Sequence, residues 1–180
     1  ISSGLREIID GSAIAGEFKE IYASEFLYDG EGRPVWPKLA VNFTAKTQFV
    51  YRINKGVLDV SDDRTLNDSM PDDSKRVPFT NMVYMGDGLS DVPCMKMMRA
   101  YGGQAIAVYQ EGNRQGVEDL LAKGRVDFMF PADYGEGTAL DATVKHIIQK
   151  MAIADLLWEE NAQQLRFIGG DVLPNQVGLF

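Results

Sequence analysis

The chain has 180 residues, with 18 Lys and Arg against 26 Asp and Glu, so its formal net charge is −8. This length fits one domain, and the acidic balance argues against a broad surface for nucleic acid or for an anionic membrane. One cysteine and one histidine cannot build a disulfide framework or a Cys/His zinc site, and no apolar run approaches the roughly 18 residues needed to cross a bilayer. We therefore expect a cytoplasmic globular protein, without nucleic-acid or membrane partners, whose chemistry uses oxygen ligands and amines.

The first residues are typical of a turn from a strand into a helix. Ile1 is followed by Ser2, Ser3 and Gly4, and then by apolar residues at helical spacing, which predict a helix from Gly4 to about Ala15. Hydroxyls and successive backbone N–H groups at such a turn form an anion cradle, with a frayed terminus as the alternative. Because the strand itself is not in the sequence, we expect the chain to begin inside a fold.

A β-hairpin is predicted near residues 18–36. Aromatic and β-branched residues surround the segment Asp29-Gly30-Glu31-Gly32, which is a strong turn signal. Pro34 and Pro37 are expected to close the second strand.

A helix is predicted from Ala45 to about Asn54, with Thr44 as its cap and Gly56 as its stop. The acidic stretch 57–80 that follows has little periodicity. It is therefore predicted to be a surface loop with some mobility.

Strands and helices alternate in the second half of the chain. The order βαβαβα over residues 81–161 predicts an α/β fold, a Rossmann-like parallel sheet with flanking helices. We place one domain at 1–161 and a tail at 162–180. The predicted elements are the strands Asn81–Met85, Gln104–Tyr109 and Val126–Phe130, and helices with Pro93 in the first turn, over Gln115–Ala122 with Gly124 as the stop, and over Thr138 to about Asn161.

An acidic loop, Gly86 to Asp91, follows the first of these strands and precedes a helix. It therefore lies at the carboxyl edge of the sheet, where α/β folds place their ligands. Asp87 and Asp91 are close enough to converge, and two carboxylates brought together favour a hard cation such as Mg²⁺. The alternative is that Asp87 belongs to a turn and Asp91 is only a helix cap.

Lys46 lies at the start of a predicted helix, where the positive end of the macrodipole disfavours a cation. That conflict is tolerable if the ammonium faces a strong anion such as a phosphate. A solvated surface lysine is the alternative.

These three stretches, in this order, resemble the haloacid dehalogenase-like hydrolase superfamily, closest to its phosphoserine-phosphatase-type branch. The second motif of that family maps to Ser2, the third to Lys46, and the fourth to the segment Gly86 to Asp91. The resemblance spans residues 1 to about 130. It implies a haloacid dehalogenase-like core that is incomplete here.

Two departures from the family pattern concern the first motif and the loop. The Asp-x-Asp motif that supplies the nucleophile should precede Ser2, and neither this motif nor the small cap domain is present in the sequence. In the loop, this chain has Ser90 at a position where members of the family often have Asn. We expect the missing stretch, which includes the central strand, to accompany this chain as an N-terminal segment or second chain that completes the sheet.

The resemblance implies a Mg²⁺-dependent phosphate-monoester hydrolase acting on a small phosphorylated metabolite through an aspartyl-phosphate, with this chain alone inactive. Asp87 would bind Mg²⁺, and Asp91 would bind it or orient a metal-bound water. Ser2 and Lys46 would contact the phosphoryl group, and Ser3 and Gly4 would contribute to substrate binding. Phosphomutase or dehalogenase chemistry, or a non-catalytic module that binds a cation or a protein, are the alternatives.

Overall fold

A computed structural model of the protein describes residues 1–172, apart from the side chain of Asp73. Within this range the chain forms an α/β structure with one parallel sheet and one hairpin. Short 3₁₀ turns at residues 15–17, 72–74, 79–81 and 89–91 join the larger elements. The strands are β1 (Glu25–Tyr28), β2 (Pro34–Leu39), β3 (Val83–Gly86), β4 (Gln104–Tyr109) and β5 (Phe128–Pro131). The helices are α1 (Arg6–Asp10), α2 (Lys46–Lys55), α3 (Asp63–Asn67), α4 (Val92–Ala100), α5 (Arg114–Ala122) and α6 (Ala139–Phe167).

The predicted βαβαβα order is confirmed. Strands β3, β4 and β5 form a parallel sheet in that spatial order, with Val83 opposite Gln104 and Ile106 opposite Phe128. Each pair of neighbouring strands is connected through a helix, as parallel pairing requires. The carboxyl ends of all three strands therefore lie along the same edge of the sheet.

Helices cover both faces of this sheet. The side chains of each strand alternate between the two faces, and both faces carry buried apolar residues that pack against helices. On one face, Tyr84, Ala105 and Ala107 pack with buried residues of α2, α4 and α5. On the other face, Ile106 and Val108 pack against Leu140 and Ile147 of α6. The core thus has two apolar layers around the sheet, and α2 and α4 share the layer on the Tyr84 side.

The hairpin is confirmed, but the positions of its prolines were predicted wrongly. Strands β1 and β2 pair antiparallel, with Pro34 opening β2 and Pro37 lying inside it opposite Phe26. A proline is tolerated there because β2 is an edge strand of a two-stranded sheet with an irregular register. Trp36 remains 70% exposed on this hairpin.

Helix α2 has the predicted length, but its start is stabilised by a different residue. Asn42 Oδ1 accepts hydrogen bonds from the backbone N–H groups of Thr44 and Ala45, each at 3.0 Å. The prediction that Thr44 caps the helix is therefore wrong. Gly56 ends the helix in the left-handed conformation (φ 76°), as predicted.

The stretch 57–80 is more ordered than predicted. It contains α3, and Leu66 of that helix is buried. The fully buried Arg52 of α2 donates to the carbonyl oxygens of Asp59 and Val60 and to the carboxylate of Asp63. The sequence pattern gave no sign of these tertiary bonds, which fasten the first part of the stretch to the core.

Two terminal helices differ in length from their predictions. Helix α1 is only five residues long, and α6 extends beyond Asn161 to Phe167, with Thr138 accepting a capping bond from the backbone N–H of Asp141 at 3.2 Å. The start of the predicted tail is thus helical, while residues 173–180 lie outside the described residues. Up to residue 172, none of the helices has an apolar stretch long enough to span a bilayer.

Candidate functional site

The acidic loop lies at the carboxyl end of β3, as predicted. Gly86 is the last residue of that strand, a single 3₁₀ turn covers Leu89 to Asp91, and α4 starts at Val92. Pro93 lies in the first turn of α4, where its missing N–H costs nothing. Asp91 stands at the cap position, but its side chain makes no capping bond. It is available for tertiary contacts instead.

Lys46 and Asp91 form a buried ion pair. The Lys46 Nζ donates to Asp91 Oδ1 at 2.7 Å, and both side chains are about 95% removed from solvent, with 6% and 5% exposed. The alternative of a solvated lysine is therefore wrong. The anion that offsets the unfavourable position of Lys46 on the helix dipole is a carboxylate of this chain. Because the partners are 45 residues apart, the pair fixes the start of α2 against the acidic loop.

Tyr84 and Cys94 complete this buried cluster. Tyr84 Oη donates to Asp91 Oδ1 at 2.7 Å, so two donors share one carboxylate oxygen. Burial, and then the hydrogen bond to Asp91, raise the pKa of the Tyr84 hydroxyl far above its usual range, so it stays a donor. Burial also raises the pKa of the Cys94 thiol, which lies beside Tyr84 and has no access to solvent. Cys94 is therefore a packing residue behind the loop, as expected for a buried cysteine.

The absence of a side chain at Gly86 leaves the space that the Asp91 carboxylate occupies. A Cβ atom at Gly86 would lie 2.5 Å from Asp91 Cγ and 2.6 Å from Asp91 Oδ2, which is closer than nonbonded atoms approach. The absence of a side chain at the end of β3 thus lets the carboxylate pack directly against the strand.

Replacing Gly86 with Ala is expected to destabilise the protein by about 1–3 kcal/mol, because the added methyl must displace Asp91 from Lys46. Gly88→Ala is the matched control, since a Cβ there has no neighbour within 4 Å and the backbone is extended. Urea unfolding of the three proteins measures the effect. Equal unfolding midpoints for the two variants would show that the close packing of Asp91 against Gly86 does not contribute to the stability of the protein.

The Ser2 turn is bonded to Tyr22, whose ring stacks on Phe49 of α2 with 4.6 Å between the ring centroids. The backbone N–H of Ser2 donates to the Tyr22 carbonyl at 2.7 Å, which fixes the turn to the core. Within residues 1–172 no hydrogen bond joins the Ser2 hydroxyl to Lys46 or to Asp91, so the structure does not bring the three predicted groups into one bonded cluster.

Some groups of the predicted anion cradle at Ser2 to Gly4 already form hydrogen bonds within the chain. The backbone N–H of Gly4 donates to Ser2 Oγ at 3.0 Å, and the Ser3 carbonyl accepts from the Ser24 hydroxyl at 3.3 Å. Because Ser2 Oγ accepts a bond, its own hydroxyl hydrogen remains available for a ligand. The cradle therefore offers the Ser2 hydroxyl and not the Gly4 N–H in this conformation.

Two carboxylates of the loop have the chemistry that Mg²⁺ prefers, but they occupy different environments. Asp87 is exposed, whereas Asp91 is buried with its Oδ1 atom already engaged. Among the described residues there is no cluster of three or more His, Cys, Asp or Glu side chains that could hold a metal ion. The binding of Mg²⁺ by Asp87 and Asp91 therefore stays a prediction, and it would need further ligands from water or from another polypeptide segment.

The sequence found Lys46 and Asp91 but missed the groups that hold them. Tyr84 and Gly86 were taken as parts of a strand and a turn. A tyrosine inside a short buried strand was the available signal, because a buried phenol needs a hydrogen-bond partner.

No family model matches the chain, and no solved structure matches it. The chain is 30% identical over 158 residues to a Borreliella burgdorferi protein described as an uncharacterized protein. The alignment covers 78% of this chain and 53% of that protein, so the chain spans about half the length of the curated relative it matches. The likeness carries no assignment of activity, which has to be argued from the site.

Proposed function

We propose that this chain is part of a Mg²⁺-dependent phosphate-monoester hydrolase of the haloacid dehalogenase type. The reaction would proceed through an aspartyl-phosphate, with the nucleophilic aspartate supplied by polypeptide outside this sequence. The substrate class is a small phosphorylated metabolite. On this proposal the chain by itself is inactive, because it provides the binding groups without the attacking carboxylate.

The buried ion pair between Lys46 and Asp91 carries the proposal. It unites two of the three motifs that the sequence resemblance identifies. The acidic loop starts at the carboxyl end of β3, where ligands bind in parallel α/β sheets. The two residues are 45 positions apart in the sequence, so their pairing is a tertiary contact, as the proposal requires of residues from separate motifs.

Each of the four side chains has a role consistent with its surroundings. Lys46 uses one donor on Asp91 Oδ1 and keeps two for a phosphoryl oxygen, whose negative charge it would neutralise. The Ser2 hydroxyl would donate to a second phosphoryl oxygen. Asp87 and Asp91 would hold Mg²⁺, which when bound supplies charge stabilisation for the transferred group.

The free edge of β3 supports the expectation of a missing strand. Within residues 1–172, β3 pairs only with β4, and its other edge carries no proline or charged residue that would block pairing. A strand that leads to the nucleophile would add at this edge, next to Lys46 and Asp91. That strand would be the central strand that the haloacid dehalogenase-like core lacks here.

The experiment is hydrolysis of p-nitrophenyl phosphate by the polypeptide that carries this chain together with the nucleophile motif. We expect turnover that requires Mg²⁺, and a loss of about 10²-fold or more in Lys46→Ala, as for other preorganised donors to a transition state. Lys96→Ala is the control, because Lys96 is an exposed residue of α4 that has no part in the proposed site.

The alternatives give different results in the same assay. A binding module would show no turnover with or without Mg²⁺, and a dehalogenase would release halide from a haloacid. A phosphomutase would move the phosphoryl group within its substrate instead of to water. Turnover that is unchanged by Lys46→Ala would remove Lys46 from the site.

A further inference from the structure

Tyr84 and Gly86 lie on the same face of β3, since they are two residues apart on a strand. Both contact the Asp91 carboxylate from that face. The Tyr84 hydroxyl holds Oδ1 at 2.7 Å, and the bare Gly86 backbone leaves room for Oδ2. The strand therefore provides both a donor and a space for one carboxylate.

The two oxygens of Asp91 are treated differently by this arrangement. Oδ1 accepts from Lys46 Nζ and from Tyr84 Oη, each at 2.7 Å, and two bonds match the two lone pairs of one carboxylate oxygen. Oδ2 accepts no hydrogen bond from the described residues. Only one oxygen of this buried carboxylate is thus free for a ligand.

We infer that Tyr84 is a positioning residue that dictates how Asp91 meets the metal ion, an inference that rests on the proposed function. With Oδ1 held by Tyr84 and Lys46, Asp91 presents Oδ2 alone, either to Mg²⁺ or to a water molecule on it. Without the Tyr84 hydroxyl, Lys46 is, among the described residues, the remaining hydrogen-bond donor that holds the orientation of the carboxylate about its Cβ–Cγ bond. Oxygens that bind metals depend on such neighbouring hydrogen bonds for their orientation.

The test is Mg²⁺ binding to the polypeptide that carries this chain together with the nucleophile motif, measured by NMR from the amide signals of Asp87 and Gly88 at constant ionic strength. Tyr84→Phe keeps the ring and removes the hydroxyl, and we expect it to raise the Mg²⁺ dissociation constant about tenfold or more. Tyr22→Phe is the matched control, because Tyr22 is also buried and its hydroxyl donates at 2.9 Å to the Leu58 carbonyl. It should bind Mg²⁺ as the unaltered chain does.

The outcomes separate this inference from the proposed function. Saturable binding by the unaltered polypeptide with the same dissociation constant in Tyr84→Phe overturns the role of Tyr84 and leaves the metal site standing. If the unaltered polypeptide that carries the nucleophile motif gives no saturable shift, the metal site of the proposed function fails, and the inference with it.

A second comparison separates positioning from a general loss of structure. If Tyr84 acts through Asp91, Tyr84→Phe should change the dissociation constant less than about twofold when Asp91 is already Asn, because the two changes then act on one interaction. Equal tenfold losses in both backgrounds would mean that Tyr84 acts by another route.

Discussion

Lys46→Met is expected to lower the free energy of unfolding by about 3–5 kcal/mol, because it leaves the Asp91 carboxylate buried without its countercharge. Both side chains of the pair are almost fully removed from solvent. Such a loss is a large share of the roughly 5–15 kcal/mol that stabilises an ordinary domain. Urea unfolding monitored by circular dichroism measures it through the shift in midpoint.

Two further variants test that explanation. Lys96→Met changes an exposed lysine of α4 and should stay within about 0.5 kcal/mol of the unaltered protein. The double variant Lys46→Met with Asp91→Asn removes both charges and should be more stable than the sum of the single losses predicts. If Lys46→Met unfolds at the same urea concentration as Lys96→Met, the ion pair does not form in solution.

Arg52→Ala is expected to cost a similar amount, about 3–5 kcal/mol, for a different reason. The guanidinium is fully buried and donates to the carbonyl oxygens of Asp59, Val60 and Asp62 at 2.6, 3.0 and 3.2 Å. Its removal leaves several acceptors without a donor and opens a cavity. Because Asp63 is largely exposed, most of the loss should come from the carbonyls and not from the ion pair.

Hydrogen exchange shows where the effect falls. In Arg52→Ala, amides in residues 57–68 should exchange much faster, while those of β4 should keep protection in proportion to the remaining global stability. Arg64→Ala serves as the control, because Arg64 is an exposed residue of the same segment. Unchanged exchange in residues 57–68 of Arg52→Ala would mean that the segment is held by other contacts.

The parallel sheet could be predicted because its signals are local. Compact apolar runs such as Gln104–Tyr109 and the stops at Gly56 and Gly124 each depend on a few neighbouring residues. The ends of strands were predicted less accurately where a proline interrupted an apolar pattern. Pro37 was taken as the end of a strand, but on an exposed edge its missing N–H has no consequence.

Two residues of the candidate site were predicted from the sequence, but the contacts between them were not. Asp91 and Lys46 were identified, but Lys46 was expected to face a phosphate and was found to face Asp91. The phosphate contact and the binding of Mg²⁺ by Asp87 stay predictions. The stretch 57–80 was taken as a mobile loop, because an acidic sequence carries no sign of an arginine that reaches it from another helix.

The amino-acid sequence by itself determined the alternation of strands and helices, the hairpin turn and the position of the acidic loop after β3. Those features follow from periodicity, turn residues and caps, which act over a few residues. Only the tertiary structure decided that Lys46 and Tyr84 share one oxygen of Asp91 and that Arg52 fastens the segment after α2. The physical reason is that such bonds depend on which buried groups the packing brings within 3 Å, and no short window of sequence contains both partners.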